Sequence, residues 1–380
     1  LTFKELMAFA YEFIKFGFSE NISKKITMKE FANKYNFKKD AIDLIDTMCR
    51  LTDGGTVDNY TLFEFFQIFN QNLFYGIYQP KLPNDVGLFK YWKDALLKTK
   101  NVNIMFDTEI LNIVPDKNSV NYLTVRNNNK HYNIKATNYI FAIPPKPMLS
   151  VIKNSPNKNM FGEIDDLIKW ERESRYLVYI PINFHWDTNV KLKKVQGITE
   201  SDYGIVYVVM SNYMDFNDMR SKVVITCTAK ITDRVSQFNK KTANQCNENE
   251  LIQEVFRQLK LYQPDLPTPT YSILSPGIFK NNDKWDTTDT AYFYTKAGYK
   301  PSNSIYNNLH WVGIHNGNSN YSFTAMESAI ENSISLLHRI EPIASKEIII
   351  HQPFTVKKFI FIIIIIMIII IIGLILKYKT

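Results

Sequence analysis

An uninterrupted apolar run near the C-terminus constrains the fold more than any other stretch. Phe359–Leu376 reads FIFIIIIIMIIIIIGLIL, eighteen residues without a charge. As an α-helix this run is about 27 Å long, close to the hydrocarbon thickness of a bilayer. Each isoleucine favours insertion by roughly 0.3–0.6 kcal/mol. We therefore predict a transmembrane helix over residues 359–376, with a buried strand or a low-complexity stretch as the alternative.

Lysines lie on both sides of this run, Lys357 and Lys358 before it and Lys377 and Lys379 after it, so the positive-inside rule does not fix the orientation. Only four residues follow the run. A span so close to the end of a chain is expected to insert after synthesis, as a tail anchor does. This predicts a single-pass C-terminal anchor in a membrane, with the body of the protein in the cytosol.

The amino-acid composition limits the size of the core, the partners and the cysteine chemistry that are possible for this chain. With 380 residues and 45% hydrophobic side chains, the chain can bury a large core, which we expect to form two lobes. The net charge of +8 is spread along the chain without an Arg-rich run, which predicts solvated surface and no nucleic-acid partner. The three cysteines, Cys49, Cys227 and Cys246, lie far apart. They argue against a disulfide framework or a metal site and fit a reducing compartment.

Apolar residues at helical spacing predict helices in the first part of the chain. They form three stripes between Leu1 and Leu73: Phe3, Leu6, Met7, Ala10, Phe13, Ile14 and Phe18; Ala41, Ile42, Leu44, Ile45 and Met48; and Leu62, Phe63, Phe65, Phe66 and Phe69. Asp53-Gly54-Gly55 lacks the spacing of a calcium loop and predicts a turn.

Strand-like runs follow a further amphipathic helix that begins near Gly87. The predicted strands are Val102–Val114, Val120–Arg126, His131–Ala142, Tyr176–Phe184, Gly204–Met210, Val223–Thr228 and Tyr271–Leu274. Glu250–Leu261 has helical periodicity and is followed by prolines.

The segment Leu309–Leu337 combines a short strand, a turn and a helix. An apolar run, Leu309–Ile314, is broken by Gly313, and a polar loop leads to Thr324. Thr324 with Glu327 has the spacing of a capping box. Apolar residues then recur at helical spacing and predict one buried stripe: Phe323, Met326, Ile330, Ile334 and Leu337. A strand, a glycine turn and a helix N-terminus can bring free N–H groups to an electron-rich ligand, although plain scaffold often has the same arrangement.

This segment resembles the C-terminal signature of the FAD-dependent amine oxidase and phytoene desaturase superfamily. There a strand ending in Ala-Gly-Glu or Ala-Gly-Asp leads to a Met-Glu-Gly-Ala helix, whose N-terminus faces the pyrimidine edge of the flavin. The resemblance implies that Gly313, Thr324, Ala325 and Met326 line the flavin ring. Two positions depart from the signature: no acid follows Gly313, and the second glycine is Ser328.

The order of the preceding segments also resembles this superfamily. Asn103–Ile110 and Asn138–Pro144 are similar to two of its FAD-lobe strands, which implies that Ile110 contacts the adenine of FAD. Tyr176–Trp186 is similar to a strand before which many amine oxidases carry a lysine that holds water against the flavin. Arg175 and Tyr176 stand at that position, and Ala325 replaces a frequent cage aromatic, so an amine substrate is not supported.

The dinucleotide-binding fingerprint of the superfamily is not found in this sequence. None of the thirteen glycines falls in a GxGxxG spacing, and the first residues already resemble the substrate lobe. The sequence begins with Leu1 and not with Met. We therefore expect it to be the C-terminal part of a longer flavoprotein, or the product of a split or degraded gene.

The predicted architecture is α+β/α/β, a partial Rossmann-type FAD-binding lobe plus a mixed substrate lobe and a C-terminal transmembrane helix. The predicted domains are residues 1–78, helical part of the substrate lobe; 79–150, FAD-lobe helix and β-meander; 151–303, sheet-containing substrate lobe; 304–342, FAD-lobe strand and helix; 343–358, linker; and 359–376, transmembrane helix.

The resemblance implies a flavin-dependent oxidoreductase that transfers a hydride from a small-molecule substrate to FAD. The alternative is a non-catalytic, membrane-tethered remnant or interaction scaffold that no longer binds FAD. No general base can be identified. His185, His310 and His315 are candidates by residue type only.

Overall fold

The structure is a computed structural model that describes residues 1–379 except 71–72, 74–79, 175–178, 194, 199, 216–220, 289–291, 320–324 and 351. Its first hundred residues are helical, as predicted: α1 (Phe3–Phe18), α2 (Glu20–Ser23), α3 (Met28–Lys34), α4 (Lys39–Asp53), α5 (Leu62–Phe69) and α6 (Leu88–Lys98). Thr2, Thr27 and Thr61 cap α1, α3 and α5 with their hydroxyl groups. Gly54, at φ 76°, ends α4, which confirms the predicted turn.

A β-meander follows the helices. Strands β1 (Thr108–Asp116), β2 (Ser119–Asn127) and β3 (Lys130–Ile134) form an antiparallel sheet. The next strand, β4 (Tyr139–Phe141), leaves this sheet and pairs in parallel with β12 (Leu309–Trp311). The prediction of one strand over His131–Ala142 is therefore wrong, because two straight segments belonging to different sheets need a turn between them.

A five-stranded antiparallel sheet forms the next part of the described chain. Its order is β6 (Val195–Ile198), β7 (Ile205–Val209), β8 (Val223–Ala229), β5 (Ile180–Trp186) and β9 (Tyr271–Leu274). Helix α9 (Glu248–Tyr262) buries Leu251, Val255 and Leu259 in the core of this sheet. The predictions missed β6, the hairpin β10 (Ile278–Asn281) and β11 (Lys284–Thr287), and the helices α7 (Pro145–Lys153) and α8 (Ile164–Glu173).

The described residues pack around two hydrophobic cores. The first joins the N-terminal helices to the meander and to the β4–β12 pair through residues such as Phe63, Ile113 and Trp311. The second lies between the five-stranded sheet and α9 and includes Ile182 and Val255. The first core thus brings together segments that are distant in the sequence. The domain boundaries proposed above stay a prediction.

Two helices complete the chain, α10 (Met326–Ile340) and α11 (Val356–Lys379). Helix α11 begins three residues before the predicted span, inside the segment expected to be a linker. The segment Val356–Leu376 of α11 has a mean hydropathy of 3.8, and no part of this segment is buried inside the protein. By length and composition, α11 is able to cross a membrane.

Candidate functional site

The predicted strand, turn and helix are present around Gly313. The backbone N–H of Val312 donates to Phe141 O at 2.9 Å, which continues the pairing of β12 with β4. A short 3-10 helix, Ile314–Asn316, follows. The next loop is tied to α10, because Asn318 N donates to Asn332 Oδ1 at 2.8 Å and Ser319 Oγ donates to Glu331 Oε2 at 2.7 Å. This part of the molecule brings Gly313 and α10 together.

Gly313 is surrounded by groups of its own chain. Its backbone N–H donates to Asn316 Oδ1 at 2.9 Å, and Asn316 Nδ2 donates to Trp311 O at 3.1 Å. A Cβ atom placed on Gly313 would lie 2.9 Å from Nδ1 of His315. Because Gly313 has no side chain, the imidazole ring of His315 fits beside it. The backbone N–H of Gly313 closes the turn.

His315 is a neutral, buried histidine. It is 1% exposed, and its ring centroid lies 4.3 Å from that of Trp311. Burial lowers the pKa of His315 to about 3, and within the described part of the chain its Nε2 has no hydrogen-bond partner. At neutral pH this imidazole carries no charge, so it can serve only as a weak base in a dry environment.

The other two candidate histidines have different surroundings. His310 lies on β12, where burial and the nearby Arg339 lower its pKa. Neither of its ring nitrogens has a partner among the residues that the structure describes. His185 lies on β5 in the five-stranded sheet, with Nδ1 3.0 Å from Ser221 Oγ. The sheet that holds His185 belongs to the second core, whereas β12 belongs to the first.

The start of α10 has no side-chain cap in the described structure. Its N-cap residue is Ala325, which has no polar group, and Met326 at the first helical position is 45% exposed. The helix begins after Ala325, one residue later than expected, and the capping box between Thr324 and Glu327 stays a prediction. Thr324 itself lies outside the described residues. The N-terminus of a helix is the positive end of its dipole, which favours negative charge.

The predicted buried stripe of α10 is wrong. Met326 and Ile330 are exposed, whereas Phe323 lies outside the described residues. The buried side of the helix is largely polar and consists of Ser328, Glu331, Asn332 and Leu336. The reason is the loop that follows the 3-10 helix, whose amide and hydroxyl groups bond to the polar side chains of α10. Those bonds determine which face of the helix turns inward.

Ile110, the predicted adenine contact, lies on β1 opposite Val125 and next to a break in the strand register. Its side chain is half-buried and packs against the first core, which also contains Phe141 and Trp311. The contact with adenine stays a prediction. The positions that match the amine oxidase lysine, Arg175 and Tyr176, lie outside the described residues.

Known proteins were compared with this chain by sequence and by structure. No family model and no curated protein matches the sequence. The structure is similar to that of an oxidoreductase from Methanosarcina mazei, with a TM-score of 0.54 at 10% identity, covering 89% of this chain and 73% of that one. It is also similar to a putrescine oxidase mutant from a redesign of cofactor binding, with a TM-score of 0.54 at 9% identity, covering 84% and 68% of the two chains.

The fold of this chain is similar to the folds of these two solved proteins. A triple mutant of putrescine oxidase gives a TM-score of 0.51 at 8% identity, covering 86% of this chain and 69% of that one. The predicted mixed architecture of helices and strands is thus confirmed at the level of the fold.

Sequence reasoning missed Asn316, whose side chain closes the turn, and named His315 only as a candidate base by residue type. The pair Asn316-Gly317 is a turn signal, and Gly317 does adopt a left-handed conformation at φ 72°. No pattern in the sequence indicates that the Asn316 side chain closes back onto Gly313. That contact appears only when the chain is folded.

Proposed function

We propose that this chain forms the substrate lobe and the C-terminal part of the FAD lobe of a flavin-dependent oxidoreductase of the amine oxidase type, tethered to a membrane by α11. The observation that carries the proposal is the arrangement at Gly313. Strand β12, paired in parallel with β4, leads through a tight turn toward the N-terminus of α10. The similarity of the fold to oxidoreductases supports the same reading.

The start of α10 fits the electron-rich edge of a flavin. The N–H groups that follow Ala325 lie at the positive end of a fifteen-residue helix, where negative charge is favoured. Ala325 and Met326 would hold the ring there, with Thr324 beside them and Ile110 near the adenine. FAD, when bound, accepts a hydride from the substrate, and these residues orient the ring and favour its negative charge.

Gly313 takes a different role from the one that the resemblance implies. Because the His315 ring fills the space beside it, Gly313 positions α10 by shaping the turn. The rings of His310 and His315 lie on the strand and turn that precede α10, and burial lowers the pKa of both, so neither adds a positive charge there at neutral pH.

The second candidate function is a non-catalytic, membrane-tethered interaction scaffold. The contact between Gly313 and His315 favours it, since an imidazole of the chain itself occupies the space beside Gly313. The two candidates differ in one measurable property, the presence of a bound flavin.

The test is to purify the full-length product of the gene, including any coding sequence that precedes Leu1, in mild detergent. Visible absorption bands of a bound flavin support the oxidoreductase. A colourless protein that melts cooperatively contradicts it and supports the scaffold. The upstream reading frame gives an independent check, because an in-frame strand, GxGxxG and helix would supply the missing part of the FAD interface.

Substitution of the N-cap of α10 sharpens this test. Asn at position 325 supplies a side-chain acceptor for the first N–H groups of the helix, which stabilises a helix by about 1 kcal/mol. The same acceptor competes with the flavin. We therefore expect Ala325→Asn to raise the melting temperature and to weaken flavin retention.

Lys38→Asn is the matched control, because Lys38 is the N-cap of α4 and also makes no side-chain cap bond. We expect this variant to raise the melting temperature and to retain flavin like the parent protein. If both variants retain flavin equally, the start of α10 does not hold the ring.

A further inference from the structure

The first helix of the chain turns its acidic residues inward. Glu12 is 3% exposed, and its Oε1 accepts hydrogen bonds from Lys34 Nζ at 2.7 Å and Tyr35 OH at 2.5 Å. Glu5 is also buried and accepts a hydrogen bond from the backbone N–H of Lys38 at 3.2 Å. These contacts fix the rotation of α1 about its own axis, and they leave another face of the helix outside.

The outer face of α1 is apolar along its whole length. Its residues are spaced by three or four positions and therefore form one stripe, 46–79% exposed: Phe3, Met7, Tyr11, Ile14 and Phe18. A helix on the surface of a water-soluble domain has polar residues on its outer face, whereas α1 has apolar residues there as well as against the core, where Ala8 and Phe16 are buried. A contiguous exposed apolar surface marks a site of contact with another apolar medium.

The stripe adjoins the start of α11. The ring centroids of Phe18 and Phe361 lie 6.1 Å apart, and Ile14 and Phe18 line a groove together with Ile360 and Ile364. Lys357 Nζ lies 2.8 Å from Glu20 Oε1, which ties the beginning of α11 to the end of α1. Ile364 lies eight residues after Val356, or about 12 Å along a helix. The end of α1 is therefore level with the first two turns of α11.

Two further features surround this contact. Lys24, Lys25, Lys357 and Lys358 lie near the same end of α1, and lysines at such positions favour the headgroups of anionic lipids. A cleft of about 370 Å³ lies on the flank of α1, and its lining is apolar: Leu6, Ala10, Phe13, Met48, Phe65 and Phe69 contribute to it. The apolar surface of α1 thus continues sideways into the helical lobe.

We propose that α1 lies in the interfacial layer of the membrane that α11 crosses, with the stripe among the acyl chains. This inference rests on the proposed anchoring by α11. The occupant is the lipid bilayer, because the stripe is continuous with the exposed apolar surface of α11 and has lysines beside it. The apolar cleft then opens at the lipid surface, where apolar molecules dissolved in the bilayer can reach it.

The three cysteines are buried, so a nitroxide label can be directed to engineered surface cysteines. Four single variants are labelled in the full chain: Met7→Cys and Ile14→Cys on the stripe, Ile366→Cys in α11, and Leu261→Cys as a control. Leu261 is an apolar residue on α9 that is 70% exposed. The labelled proteins are reconstituted in vesicles of phosphatidylcholine and phosphatidylserine, and collisions with oxygen and with a nickel chelate are measured.

Oxygen concentrates in lipid and the nickel chelate stays in water. We expect the labels at positions 7, 14 and 366 to collide mainly with oxygen, and the label at 261 to show the reverse ratio. If the label at 366 is in lipid and the stripe labels are in water, the inference fails and the anchor remains. If the label at 366 is itself in water, the anchor fails and the inference fails with it.

A second copy of the chain covering the stripe is a separate outcome. Spin–spin broadening between labels at position 7, in detergent and in vesicles, would identify that copy and overturn the proposal. Thermal melting of each variant before labelling shows that the substitution leaves the fold intact, which is expected because all four positions are exposed.

Discussion

The five-stranded sheet and the β4–β12 pair beside the candidate site are built in different ways. In the five-stranded sheet, β5 alternates buried and half-buried residues, and Ile182 at its centre is fully buried. The pair of β4 and β12 is three residues long, and Ile140 on β4 is 48% exposed. The first is a complete antiparallel sheet with one covered face. The second is a short parallel pair that packs into the first core through Phe141, Leu309 and Trp311.

Side-chain hydrogen bonds also tie the β4–β12 pair to the residues that follow each strand. Trp311 Nε1 donates to Ile143 O at 2.9 Å, and Asn316 Nδ2 donates to Trp311 O. The stability of the five-stranded sheet thus comes from its own core. The candidate cofactor site is positioned by a few contacts between distant segments, and it is the more sensitive of the two regions to changes away from the strands.

The largest expected effect comes from replacing one isoleucine in each sheet. We expect Ile182→Ala to cost about 2–5 kcal/mol, because it leaves a cavity in a closed core. The matched change Ile140→Ala is expected to stay within about 0.5 kcal/mol, because Ile140 is half exposed. Denaturant unfolding of both variants in detergent gives the free energies of unfolding. Equal costs would mean that the parallel pair is as tightly packed as the larger sheet.

The loss of stability at low pH is a second property that depends on the region around the candidate site. Burial lowers the pKa of His315 from 6.5 to about 3, so the folded protein keeps the ring neutral. As pH falls below 6.5 the unfolded chain binds a proton that the folded chain excludes, and stability is lost between pH 6.5 and about 3.

We therefore expect the melting temperature of His315→Phe to fall less steeply than that of the parent protein as the pH decreases over this range. His338→Phe is the control, because His338 lies at the end of α10 with its Nε2 2.8 Å from Ile348 O. If the melting temperature of His315→Phe falls with pH as steeply as that of the parent protein, this ring does not couple the site to pH.

The smallest effect concerns the helix starts. Asn247 caps α9, and it forms a capping box with Glu250. We expect Asn247→Ala to cost about 1 kcal/mol, since it removes a side-chain acceptor from the first turn. Lys38→Ala, at the uncapped start of α4, is expected to change the free energy of unfolding by less than about 0.5 kcal/mol. Equal losses from the two substitutions would contradict the role given to the Asn247 cap.

The candidate site was predictable in its outline and not in its contacts. The sequence predicted the glycine break after β12 and a helix near Met326, because both depend on neighbouring residues. The turn that holds them depends on Asn316 and His315, whose partners are Gly313 and Trp311. These pairs are close in sequence, but only the position of β12 against β4 turns their side chains toward one another.

The sequence by itself determined where many of the helices and strands lie, because hydrophobic periodicity and turn residues act over a few positions. It also determined an apolar helix long enough for a membrane. Only the tertiary structure decided which face each helix buries: α1 turns Glu12 inward and Phe18 outward, and α10 turns Asn332 inward and Met326 outward. Periodicity shows that two unlike faces exist, whereas hydrogen bonds from distant segments decide which of them meets the core.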